Sequence, residues 1–241
     1  MIPAPAAGRD LSAPVAVLAG VSKEYVLGKT KVRALRNIDL AVNRGEFLVL
    51  AGPSGSGKTT ILNLLGLIDK PDSGRVIFGG KNTVPLGLNA LAPARRDSIG
   101  YIFQAFNLIP VLSVFENVEY PLILRRVPAG ERRRRVESAL EKVGLSHRRK
   151  HRPSELSGGE RQRTSIARAI VKNPAVVLAD EPTANLDSET GATICDLMRR
   201  LNRNEGATFV LSSHDPRIIG TGRRIVRLRD GAIEGIEEQG G

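Results

Sequence analysis

The chain has 241 residues, with 36 Lys and Arg against 25 Asp and Glu, a formal charge of +11 and only 4% aromatic residues. That length suits one domain with a sizeable core, and no apolar run approaches a membrane span, so any transmembrane part is expected on a separate polypeptide. A single cysteine, Cys195, excludes an internal disulfide and suits a reducing cytoplasm, and no His and Cys spacing suggests zinc.

Residues 1–14 are Pro/Ala-rich, lack the basic start and apolar core of a signal peptide, and read as a disordered tail. Residues 15–50 alternate and turn as strands, with Asn43-Arg44-Gly45 as a hairpin-like break. Phe47–Ala51 is a short continuous apolar run, the pattern of a buried parallel strand. It leads into Gly52-Pro53-Ser54-Gly55-Ser56-Gly57-Lys58-Thr59-Thr60 and then an apolar helix face from Ile61 to Leu67. Strand, glycine loop and helix start come in the order a phosphate cradle needs. Loop N–H groups and the helix N-terminus receive phosphates, Lys58 adds charge at the β/γ positions, and the Thr59 hydroxyl suits Mg²⁺. A plain Gly/Ser-rich turn is the alternative.

Further strands are predicted near 74–78, 99–103, 176–180, 207–212 and 224–228, interleaved with helices, which argues an α/β fold with a mostly parallel sheet. Residues 113–172 carry helical patterns without a convincing strand, and 105–157 read as a helical lobe inserted into the core, with Leu156-Ser157-Gly158-Gly159-Glu160 at its end. Val176–Ala179 is another buried-strand run ending in Asp180-Glu181. Asp180 is the better Mg²⁺ partner, through water, and Glu181, just beyond the strand end, is the candidate general base; a helix N-cap pair is the alternative. Phe209–Leu211 is a similar run, and His214 follows it at a strand end. Cys195 falls in a helical stretch and reads as a small core residue. Arg132–Arg135 and Arg148–Arg152 concentrate the positive charge. Nucleic acid, an anionic leaflet and a solvated helix face all fit such clusters, but few aromatics and no recognisable motif argue against a specific nucleic-acid partner.

A Leu-Ser-Gly-Gly-Glu segment ahead of an acidic strand end, downstream of a full P-loop, resembles the nucleotide-binding subunits of ABC transporters. The resemblance covers about Val15 to Gly235 and implies a single nucleotide-binding domain over 15–235, with an antiparallel N-terminal β-subdomain, the helical lobe and a C-terminal tail over 236–241. It implies an ATPase using ATP and Mg²⁺. Tyr25 in the Val-Ser-Lys-Glu-Tyr stretch matches the aromatic that stacks on adenine. Gln104 in Tyr101-Ile-Phe-Gln104 matches the Q-loop glutamine beside Mg²⁺. Ser157, Gly158, Gly159 and Glu160 match the signature, Ala184-Asn185-Leu186-Asp187 the D-loop, and His214 the switch histidine that senses the γ-phosphate.

Signature and P-loop are expected far apart within one subunit. The resemblance therefore implies a head-to-tail homodimer in which Ser157 of one chain meets the phosphate held by Lys58 of the other. It also implies a separate integral-membrane permease docked behind Gln104, at the cytoplasmic face of the membrane. The apolar loop around Leu108 and Val111 is the expected docking surface, with packing of the lobe against the core as the alternative. Phe103-Gln104-Ala-Phe106-Asn-Leu108, His151-Arg-Pro-Ser-Glu-Leu-Ser-Gly-Gly-Glu160 and Asp180-Glu-Pro-Thr-Ala-Asn-Leu-Asp187 are similar to the lipoprotein-releasing and macrolide-exporting branch. A regulatory ATPase of the cell-division type, gating a membrane partner without cargo, is the alternative. Thr164-Ser165 and Leu67-Ile68-Asp69 depart from that branch's usual pattern.

Overall fold

A computed structural model of the protein describes residues 13–28 and 30–239. Most of the segment expected as a disordered tail, residues 1–12, lies outside the described residues, as do residues 240–241.

Two sheets share the chain. The first is antiparallel, in the order β2-β1-β4-β5, from β1 (Ala16–Leu27), β2 (Thr30–Val42), β4 (Ser73–Phe78) and β5 (Lys81–Asn82). The second has six strands in the order β10-β9-β3-β8-β7-β6: β3 (Phe47–Ala51), β6 (Ile99–Ile102), β7 (Val176–Asp180), β8 (Phe209–Ser213), β9 (Arg224–Arg229) and β10 (Ala232–Glu238). All its pairings are parallel except β10 with β9.

The apolar runs that read as buried strands form the centre of this second sheet, and their alternate residues serve two cores. Phe47 and Val49 face one core with Val177, Ala179, Phe209 and Leu211; Leu48 and Leu50 face the other with Val176, Leu178 and Val210. The first core is closed by α3 (Val114–Leu124), α4 (Ala129–Lys142), α5 (Gly158–Ile170) and α6 (Ser188–Glu205). The second is closed by α1 (Lys58–Leu65), α2 (Ala92–Ser98) and the antiparallel sheet. A short α7 (Pro216–Ile219) follows β8, and 3₁₀ turns at Ser146–Arg148 and Pro153–Glu155 link α4 to α5.

The structure corrects three expectations. Asn43–Gly45 is no hairpin: it carries the chain from β2 in one sheet to β3 in the other, closed by the Asn43 N–H donating to Glu46. The strand at 74–78 belongs to the antiparallel sheet, pairing with β1, because only Val76 and Phe78 are buried in it, whereas the parallel strands β3 and β8 are buried throughout. At the C-terminal end, β10 runs to Glu238, past the boundary expected at 236, held as an edge strand by pairing with β9 and by the Arg227–Glu237 ion pair.

Candidate functional site

The C-terminal ends of β3, β7 and β8 converge on one cleft of about 590 Å³. From the P-loop it takes Pro53, Ser54, Gly55, Gly57, Lys58, Thr59 and Thr60. Tyr25, Gln104, the adjacent pair Asp180 and Glu181, and His214 join it from four other segments. Gly52 and Ser56 are not part of this lining, and Ser56 is buried. Gly57 opens α1 at φ +102, and a Cβ there would sit 2.7 Å from the Ala34 carbonyl oxygen, so only glycine lets the loop turn into the helix against β2.

Lys58 is 7% exposed; its ammonium donates to the carbonyls of Gly52 and Pro53 at 2.7 and 2.9 Å and stands 4.0 Å from Glu181 Oε1. Burial lowers its pKa, and the Glu181 and Asp180 carboxylates work against that lowering. The Thr59 hydroxyl donates to Asp180 at 3.1 Å. This hydroxyl and carboxylate, beside a cationic loop, are the hard oxygen donors that suit Mg²⁺. Glu181 sits at φ +44, a left-handed conformation that costs a non-glycine residue energy and is found where a site over-determines the backbone. Its Oε1 lies 2.8 Å from His214 Nδ1.

At the cleft's other end, the Tyr25 hydroxyl donates to Asp69 Oδ2 at 2.7 Å, and the Lys23 ammonium lies 5.2 Å from the ring centroid. Burial, helped by the Asp69 hydrogen bond, pushes the phenol up to about 12. On Asp69, burial would raise the pKa; hydrogen bonds from Tyr25, the Lys70 N–H and Lys23 outweigh it and hold the carboxyl below its usual range.

The signature and D-loop residues are elsewhere. Ser157 caps α5: its Oγ accepts from the Glu160 N–H at 3.2 Å, and Glu160 Oε2 accepts from the Ser157 N–H at 2.9 Å. Glu160 Oε1 also takes the Arg148 guanidinium at 2.8 Å. A Cβ on Gly158 would lie 3.1 Å from Leu186, and one on Gly159 only 2.7 Å from Thr190 Cγ2. Asp187 caps α6, accepting from the Thr190 N–H at 2.9 Å. None of Ser157, Gly158, Gly159, Glu160 and Asp187 lines the P-loop cleft.

Several residues that sequence reasoning did not single out organise the site. The buried Ser212 hydroxyl donates to Asp180 Oδ1 at 2.6 Å and accepts from the Glu181 N–H at 3.0 Å. Its signal was a hydroxyl interrupting the apolar run of β8. Gln162, fully buried on α5, donates to the Pro182 carbonyl, tying the signature helix to the segment after Glu181. Asn185 Nδ2 donates to the Gln104 carbonyl at 2.9 Å. Beyond Gln104, the buried Asn117 binds both the N–H and the carbonyl of Ile109, and Arg168 donates to the carbonyls of Phe106 and Asn107. These bonds hold the apolar loop with Leu108 half-buried and Val111 71% exposed. The arginine clusters are largely spent internally: Arg132 pairs with Glu119, Arg133 with Glu137, Arg135 with Glu131 and Arg148 with Glu160.

Residues 35–184 match the ABC transporter family. The chain is 48% identical over 223 residues to an uncharacterised ABC transporter ATP-binding protein of Thermotoga maritima, covering 92% of this chain and 95% of that one. It is 45% identical over 224 residues to the macrolide export ATP-binding/permease protein MacB 1/2 of Paracoccus denitrificans, where the match spans 93% of this chain but about one third (33%) of the relative. Among solved structures, the ATP-binding cassette MJ0796 of Methanocaldococcus jannaschii, a dimer in a post-hydrolysis state bound to ADP and Pi, superposes with a TM-score of 0.85 at 43% identity, covering 94% of this chain and 99% of that one.

Proposed function

Because the chain belongs to the ABC transporter ATP-binding family, we propose that it is the motor of a MacB- or lipoprotein-release-type complex, closing as a homodimer over ATP to drive a permease carried on a separate chain. The chain is an ATPase with the cassette fold. The observation that carries the finer reading is the single cleft that gathers Tyr25, Lys58, Thr59, Gln104, Asp180, Glu181 and His214 while Ser157 stands outside it. A site complete but for its signature is one that a second copy finishes.

In this reading Tyr25, fixed by Asp69, stacks on the adenine, and the P-loop N–H groups with Lys58 hold the β- and γ-phosphates. Thr59, Asp180 and Gln104 would hold Mg²⁺, which neutralises phosphate charge when bound. Glu181 takes the proton of the attacking water, and His214, 2.8 Å from that carboxylate, reaches the γ-phosphate. Positioning and charge neutralisation carry the rate, with no covalent intermediate. Ser157 and Gly159 of the partner copy cap the γ-phosphate, and hydrolysis reopens the pair. Val111 and its loop offer the permease an apolar contact next to Gln104, and in this reading the subunit sits peripherally at the cytoplasmic face of the membrane.

The experiment is size-exclusion chromatography of Glu181→Gln with Mg-ATP. Turnover is expected to fall roughly 10²–10⁴-fold, ATP binding to persist, and a dimer to accumulate that is absent without nucleotide. Adding Ser157→Arg is expected to abolish the dimer while nucleotide binding at Lys58 survives. A stable dimer in that double variant overturns the trans-signature reading, and turnover near wild type in Glu181→Gln removes Glu181 from its role.

A further inference from the structure

A second cleft, of about 560 Å³, opens where α4 meets the core, lined also by α5, α6 and the N-terminal half of β7. Its size falls within the range of small-molecule pockets, roughly 300–1,000 Å³. Asp180 and the nucleotide cleft lie at the far end of the same strand, three residues beyond Val177, or about 10 Å at ~3.3 Å per residue.

The lining divides by chemistry. Ala139, Val171, Val177 and Leu201 form a buried apolar floor. Arg134, Ser138 and Lys142, four residues apart on one stripe of α4, form a polar and cationic wall. Lys142 reaches across the mouth to Glu205 of α6 at 2.5 Å. Arg134 differs from its neighbours. In the run Arg132–Arg135 the other three are each paired with a glutamate, while Arg134 has no carboxylate within ion-pair distance among the described residues. Arg134 and Arg135 both line the cleft; Arg135 is held by Glu131, which leaves Arg134 as the uncompensated cation of that run in the lining.

An apolar floor beneath an uncompensated guanidinium recognises one kind of ligand: an apolar body that leaves water for the floor, carrying an anionic group that Arg134 can bind in bidentate fashion. We propose that this cleft binds an amphipathic anion, such as an alkyl phosphate or the end of an anionic lipid. A ligand seated there touches α4 on one side and β7 and α6 on the other, joining the helical lobe to the strand that ends in Asp180.

The test is isothermal titration of the full chain with octyl phosphate below its micellar concentration, in saturating ADP so that the P-loop phosphate seat is filled. Saturable one-to-one binding is expected. Arg134→Glu, an exposed position, should weaken it at least tenfold, and Arg133→Gln, outside the cleft, should leave it unchanged. Inorganic phosphate and octanol should each bind at least tenfold more weakly than octyl phosphate, since each carries half of the recognition. Sedimentation with phosphatidylglycerol vesicles that is lost in Arg134→Glu, alongside octyl phosphate binding, assigns a membrane lipid as the natural source. Octyl phosphate binding without vesicle binding assigns a soluble amphiphile. No saturable uptake of octyl phosphate, or equal affinity in Arg134→Glu, overturns the proposal.

Discussion

Glu181 shows how the cleft is set residue by residue. Its left-handed backbone aims the carboxylate between His214 and Lys58, and Ser212 holds both its N–H and the neighbouring Asp180 carboxylate. Ser212 is buried and acts through these two acids. Ser212→Ala therefore removes a charge-assisted hydrogen bond, typically about 1.5–3 kcal/mol, and leaves the ATP-contacting groups in place. The expected result is a fall in kcat of roughly tenfold to a hundredfold, with KM for ATP changed little. Steady-state kinetics decides: a rise in KM at constant kcat would show that Ser212 supports binding rather than the geometry of the two carboxylates.

Among the elements, α5 links several distant parts of the molecule. A capping box and Arg148 fix its N-terminus, Gln162 ties its buried face to Pro182, and Arg168 near its other end holds the loop after Gln104. Gly159 lets this helix approach α6 closely, because any Cβ there meets Thr190 Cγ2 at 2.7 Å. Helix propensity alone would favour alanine at this position by about 1 kcal/mol. Overpacking costs about 1–3 kcal/mol, so Gly159→Ala is expected to show a net loss of stability in urea melts. Thr190→Ser in the same chain removes the clashing methyl and should recover most of that loss. A Gly159→Ala chain as stable as wild type would mean that the glycine is required only for contacts outside the subunit.

The whole molecule is a six-stranded sheet between two apolar cores, and charges buried at its seams are sensitive to pH. Burial, with the Arg125 charge adding to it, brings the Lys172 ammonium down from 10.5 to about 8, while its Nζ donates to the Arg95 and Arg96 carbonyls. Between pH 8 and 10.5 the unfolded chain holds the proton that the folded chain has released, so this lysine makes stability rise with pH through that window. The Cys195 thiol, pushed by burial from 9.0 up to about 12, acts in the opposite sense above pH 9, and the Tyr25 phenol does so above pH 10. Below pH 9 the lysine outweighs the thiol, so the interval to read is pH 8–9. Urea melts there should show wild type gaining stability and Lys172→Met losing most of that slope. An unchanged slope in the variant would assign it to another group, such as Lys58, whose pKa is lowered in the same direction.

What the sequence determined by itself is what neighbours along the chain decide. An apolar pentapeptide such as Phe47–Ala51, followed at once by the glycine-rich loop Gly52–Gly57 and then Lys58-Thr59, reads as a strand buried on both faces that turns into a helix presenting N–H groups and an ammonium. Serine followed three residues later by glutamate at the head of a helical pattern caps that helix, as at Ser113 and Glu116 and at Ser157 and Glu160. Tertiary structure alone decided which sheet received Ser73–Phe78 and that Asn43–Gly45 bridges two sheets. It also decided the partners of Tyr25, Asp180 and Gln104, which come from 44, 32 and 81 residues away. The physical reason is that a hydroxyl or an amide reads the same in sequence whether it meets water or a buried carboxylate. Only the packing of distant strands and helices, which removes the water, gives Ser212 and Asp69 their roles.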